Sequence, residues 1–98
     1  MGLSAILAAT SGTTEVIARP GEGVRLVITG YTFTLDTDVT VIFQNGSENI
    51  TGTMKPGVDG VVSSNNEIPC KVNTSFQVTL GGAAVLGGHV SYRREKVV

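Results

Sequence analysis

The feature that most constrains this chain is a run of short, Val- and Thr-rich segments alternating apolar and polar residues. Gly, Pro, Asn or Asp interrupts them every eight to twelve residues. Alternation with a period of two matches a half-buried strand, and frequent turns suit an antiparallel sandwich or barrel rather than a parallel α/β sheet. Runs of Ala, Leu, Glu, Lys or Gln at helical spacing are almost absent. Only LSAILAA (3–9) could form a helix, and it is short and lacks a charged face, so a strand or ordered arm is the better reading.

Segment by segment, TTEVIAR (13–19) reads as a strand closed by the turn Pro20-Gly21-Glu22-Gly23. In VRLVITGYTFTL (24–35), Val24, Leu26 and Ile28 share one face, whereas Tyr31, Phe33 and Leu35 share a face of opposite parity. A one-residue slip reverses every side chain, so a bulge or bend is expected at Gly30. After the tight connection Asp36-Thr37-Asp38 comes a strand with Val39, Val41 and Phe43 inward and Ile42 outward. Asn45-Gly46 signals a type I′ hairpin, with ENITGTM (48–54) pairing back. The stretch 57–69 is the least regular, with one short strand at Val61-Val62. Strands at 68–73, 75–80 and 88–94 follow, the last two joined by GGAAVLGG (81–88). The expectation is an all-β, small antiparallel β-sandwich of jelly-roll type with about eight short strands. Residues 13–98 form the single domain, and 1–12 an N-terminal arm or first strand.

Ninety-eight residues suffice for one core. Only 15% of them are charged and the net charge is −1, which leaves no basic footprint for nucleic acid or an anionic membrane. Arg93, Arg94 and Lys96 form the one basic cluster and read as a solvated or partner-facing tail. No apolar run approaches the roughly 20 residues of a membrane-spanning helix. The N-terminus has no basic region before its apolar stretch, so a secretory signal is not expected. A single cysteine, Cys70, suits a reducing cytosol. A sparsely charged Thr/Ser surface suits a protein that packs against neighbours, because every charge taken out of water must be paired or neutralised.

Chemistry is scarce. His89 is the sole histidine, so any hydrolytic triad hangs on it; a strand-edge histidine bonded to backbone is the better reading, ahead of a polar interface contact or a pH-sensitive pair. Cys70 reads as a small buried hydrophobe, with Lys71 on the opposite strand face. Asp36 and Asp38, two apart, would share a face on an extended chain and could hold calcium, but turn caps are commoner there. No P-loop or dinucleotide fingerprint occurs. The N-x-S/T triplets at Asn45, Asn49 and Asn73 would matter only in a secreted eukaryotic protein. The five aromatics, Tyr31, Phe33, Phe43, Phe76 and Tyr92, fall mostly on apolar faces, too few for a sugar-binding platform. The expectation is a non-enzyme with no catalytic, cofactor or metal residues.

With DVTVIFQNGSENITG (38–52) and GGHVSYRRE (87–95) on the page, the chain resembles short proteins of tailed bacteriophages. In these a strand-hairpin-strand is followed by a Gly-rich stretch and a closing G-G-H-V-S-Y. The likeness covers roughly residues 12–94, and NNEIPCKVNTS (65–75) departs from it, lacking the aromatic segment expected there. The resemblance implies a small β-sandwich virion protein, made in the bacterial host cytoplasm, that decorates or cements a capsid or belongs to a tail or fibre. It implies a homo-oligomer, with a trimer as the expected form and a major capsid or tail protein as partner. A carbohydrate (receptor)-binding module is the alternative. Leu3, Ile6, Leu7, Ile42, His89, Tyr92, Arg93 and Arg94 are the candidate interface residues, since apolar anchors, tyrosine and arginine tend to carry interface energy. Leu3, Ile6 and Leu7 could equally complete the core.

Overall fold

A computed structural model of the chain describes residues 3–97; Met1, Gly2 and Val98 lie outside it, and with them the first two residues of the expected arm. Nine strands occur among the described residues, one more than expected: β1 (Leu3–Ala9), β2 (Gly12–Ile17), β3 (Val24–Leu35), β4 (Val41–Asn45), β5 (Glu48–Asn49), β6 (Val61–Ser64), β7 (Ile68–Val72), β8 (Phe76–Leu80) and β9 (Leu86–Lys96). They form two antiparallel sheets, one in the order β1-β9-β3-β6 with β7 also paired to β3, the other β2-β8-β4-β5. Chain-consecutive strands mostly alternate between the sheets, which is compatible with jelly-roll winding.

Length differs between the sheets. At about 3.3 Å per residue, the twelve residues of β3 span roughly 40 Å, which accounts for the molecule's 42 Å long axis. The phase change read from the sequence is real: the β3–β9 register shifts between Ile28 and Gly30. Gly30 is required there, because a Cβ would sit 2.9 Å from the Ser64 carbonyl oxygen. The bulge lets Leu26 and Ile28 below it, and Phe33 and Leu35 above it, reach the same core.

Phe33, Phe43 and Phe76 are fully buried. Phe43 sits at the hub, with ring centroids 4.7 Å from Tyr31, 5.5 Å from Phe33 and 5.3 Å from Phe76, the first two edge-to-face. Leu7, Val41, Val78, Leu86 and Val90 fill the layer around them.

Four segment readings need correction. The strand at 13–19 ends at Ile17, and 48–54 does not pair back in full: only Glu48–Asn49 is strand, followed by an isolated bridge from Met54 to Val41. Leu86, Gly87 and Gly88 belong to β9 rather than to a linker. The hairpin turn is centred on Gly46-Ser47, with Asn45 paired to Glu48. Only Gly46 has positive φ there (62°), the pattern of a type II′ turn and not I′. Asn45 is instead the last residue of β4, and its side chain is buried for a reason of its own. Its Oδ1 accepts the Lys71 N–H at 2.7 Å and its Nδ2 donates to the Ser75 carbonyl at 3.0 Å. One amide thereby ties β4 and the approach to β8 in one sheet to β7 in the other.

Candidate interaction surfaces

The β1–β9–β3–β6 registers align residues in rows across the outer face of the longer sheet. One row runs Ile6, His89, Thr32, Ser63 and the next Ala8, Gly87, Thr34, Val61. Ser4, Ser91 and Gly30 form a third. None of these residues is Asp, Glu, Lys or Arg and most are small, so this half of the face is flat. Ile6 (79% exposed) and Val61 (67%) stand out as solvent-facing aliphatics. Thr32 and Ser63 hydroxyls bond each other at 3.1 Å.

The other half of that face is charged and internally paired. Arg93 grips Glu67 with two nitrogens at 2.6 and 3.2 Å and lies 3.5 Å from Glu95. Arg25 donates from Nε to Glu95 at 2.9 Å. The Arg93 hydrogen bonds hold the Glu67 carboxyl below its usual range, and those from Arg25 do the same for Glu95. This chain orders the surface but, being solvated, contributes little to stability.

The outer face of the shorter sheet carries an uncharged ladder. The Thr13 and Thr79 hydroxyls lie 2.8 Å apart, Thr79 donates to Gln44 Oε1 at 2.7 Å, and Gln44 Nε2 donates to Asn49 at 2.9 Å. The ladder spans all four strands and leaves Ile42 half-buried beside it.

The eight sequence-selected residues therefore fall in different places. Ile6, His89 and Arg93 share the outer face of the longer sheet, with Ile6 and His89 directly opposite each other. Leu3 pairs with Tyr92 on the inward side. Leu7 and Tyr92 belong to the core, and Ile42 lies on the opposite sheet. Arg94 is exposed and makes no ion pair among the described residues. Sequence reading missed Ala8, Thr32, Thr34, Val61 and Gly87 as neighbours of Ile6 and His89. The period-two parity of β1, β3 and β9 was the available signal, but the pairing of these strands was not.

Residues considered for chemistry have structural partners. Asp36 Oδ1 accepts the Val85 N–H at 2.7 Å and the Thr37 hydroxyl at 2.9 Å, and the first of these bonds leads in lowering its pKa. Asp38 faces Lys55 at 3.8 Å, so the two aspartates are engaged separately. Cys70 is buried, and desolvation pushes its thiol up to about 11, against a weaker opposing pull from the Arg25 charge. No cleft, and no group of three His, Cys, Asp or Glu side chains placed to hold a metal, occurs among the described residues.

No protein-family model and no curated protein matches the chain. Solved structures do. A chain of the acidic stable capsid structure of Helicobacter pylori bacteriophage KHP30 superposes with a TM-score of 0.69 at 11% identity, covering 100% of this chain and 94% of that one. A chain of the Bacillus endospore appendages, which form a novel family of disulfide-linked pili, matches with a TM-score of 0.58 at 13% identity, covering 100% and 88%. At such identities the likeness is one of fold, and it extends over the whole chain.

Proposed function

We propose that this chain is a non-enzymatic structural protein of a bacteriophage virion, a capsid decoration or cement subunit that assembles with copies of itself. The observation that carries the reading is the end-to-end fold likeness to a chain of a phage capsid structure, with 94% of that chain covered. Nearly the whole of each chain is the shared sandwich. The second fold neighbour comes from an assembled appendage, which supports self-association in the same architecture. The flat uncharged half of the longer sheet supplies a surface that can be covered without stranding a charge. On this reading the partner is a major capsid or tail protein, and the chain is made in the bacterial cytoplasm before joining the particle.

Co-sedimentation tests this. The purified chain is mixed with particles stripped of it and spun through a sucrose cushion, beside a glycan array probed with the same preparation. Saturable pelleting with particles and a blank array are expected. Failure to pellet, with selective retention on one glycan class, would replace the structural reading with the receptor-binding one.

A further inference from the structure

The two sheets have four open edges, and three carry devices that discourage pairing with another chain. The β2 edge has Glu15 and a register shift between Glu15 and Ile17. The β5 edge is two residues long, and its Glu48 is ion-paired with Lys71. The β6–β7 edge is broken at residues 65–67 and contains Pro69 and Lys71. β1 has none of these. Its seven residues hold an unbroken register against β9, and it contains no charge and no proline. Its other edge is unpartnered among the described residues.

The strand is also self-complementary in size. Laid antiparallel to a second copy about Ile6, it sets Leu3 opposite Ala9, Ser4 opposite Ala8, and Ala5 opposite Leu7. Each inward leucine meets an alanine, and the two Ile6 side chains cover one another on the outer face. Because β1 is uncharged, the pairing brings no like charges together, which cross-strand neighbours of equal sign would oppose. Such a contact is isologous and closes on itself.

We propose that the open edge of β1 pairs with β1 of a second copy, joining two longer sheets into one continuous sheet across a two-fold axis. This rests on the self-assembly part of the reading above and assigns it an edge, a register and a two-fold symmetry in place of the three-fold one implied by the resemblance. Ile6 is 79% exposed, so changing it does not disturb the core.

Light scattering coupled to size exclusion gives the test on the full chain. The expected mass is twice the 10.1 kDa of one chain. I6K sets two lysines face to face and is expected to give monomer at a concentration where the parent is wholly dimeric. I6E behaves alike, and an equimolar mixture of I6K and I6E restores the doubled mass. Circular dichroism of each variant, matching the parent, separates lost pairing from lost folding. A dimer indifferent to I6K, or a mass of three chains, overturns the edge pairing while leaving self-assembly standing. A monomer throughout overturns it too, and leaves particle attachment to be judged by co-sedimentation.

Discussion

Asn45 gives the sharpest test of how the two sheets are held together. It is 3% exposed, its oxygen holds the Lys71 N–H and its nitrogen the Ser75 carbonyl. Replacing it with alanine has consequences at both of its ends. The Ser75 carbonyl keeps the Gly46 N–H at 3.0 Å, so its loss is one ordinary hydrogen bond, about 0.5–1.5 kcal/mol. The Lys71 N–H loses its acceptor; that bond is part-buried on an exposed residue, so water can replace it, and its loss too is about 0.5–1.5 kcal/mol. Together N45A should destabilise by about 1–3 kcal/mol. In a domain of this size that lowers Tm by roughly 4–24 °C, taking 4–8 °C per kcal/mol.

Urea unfolding followed by tyrosine fluorescence and circular dichroism measures it. N45D refines the test, because it preserves shape and the acceptor for Lys71 but turns a donor into an oxygen facing the Ser75 carbonyl. Burial raises that carboxyl's folded pKa above its unfolded value of about 3.9. The deficit of N45D is then full at neutral pH and shrinks as pH falls through the folded pKa, so its stability climbs relative to the parent on acidification. A ΔΔG below about 0.5 kcal/mol for N45A, typical of a surface change, would refute the clasp.

Three further outcomes follow from the same geometry. F43A removes the ring at the hub of the aromatic cluster and should cost about 3–5 kcal/mol by denaturant titration, with a value under 1 kcal/mol contradicting the packing described. Asp36, Glu67 and Glu95 all have lowered folded pKa values, so their contribution is complete above the unfolded range near pH 4 and is lost as pH falls through the folded values. Melting curves against pH should be level from neutrality to about pH 5 and decline below about pH 4, less steeply in E95Q; an equal decline in E95Q would dismiss the Arg25–Glu95–Arg93 chain as a source. Cys70 should resist a neutral-pH thiol reagent in the folded protein and react at once in urea, and prompt native labelling would contradict its burial.

Much of the sandwich was legible because its strands are half-buried and therefore alternate. The slip from Leu26 and Ile28 to Phe33 and Leu35 identified the Gly30 bulge without any structure, since only a bulge lets both parities reach one core. The hairpin at 45–48 is legible, but Asn45-Gly46 places its turn one residue early. Asn-Gly is the strongest local signal for a type I′ turn, and a long-range demand overrides it: the Asn45 side chain accepts the Lys71 N–H and donates to the Ser75 carbonyl. Strand pairing was beyond reach for a different reason. Nothing local in LSAILAA or LGGHVSYRREK says that Ile6 lies against His89, because register between residues some eighty positions apart is set by the whole sandwich. The surface built on that pairing could not be assembled from single residues, which is why Ile6 and His89 were selected but Thr32, Thr34 and Gly87 between and beside them were not.

The most direct test of a structural role is the copy number of this chain in purified particles. Virions banded twice in caesium chloride would be digested with isotope-labelled standards for this chain and for the major shell protein. The account predicts a fixed molar ratio between the two that survives repeated banding and is the same in independent preparations. A ratio that falls with each round of purification, or the absence of the chain from intact particles, would contradict it.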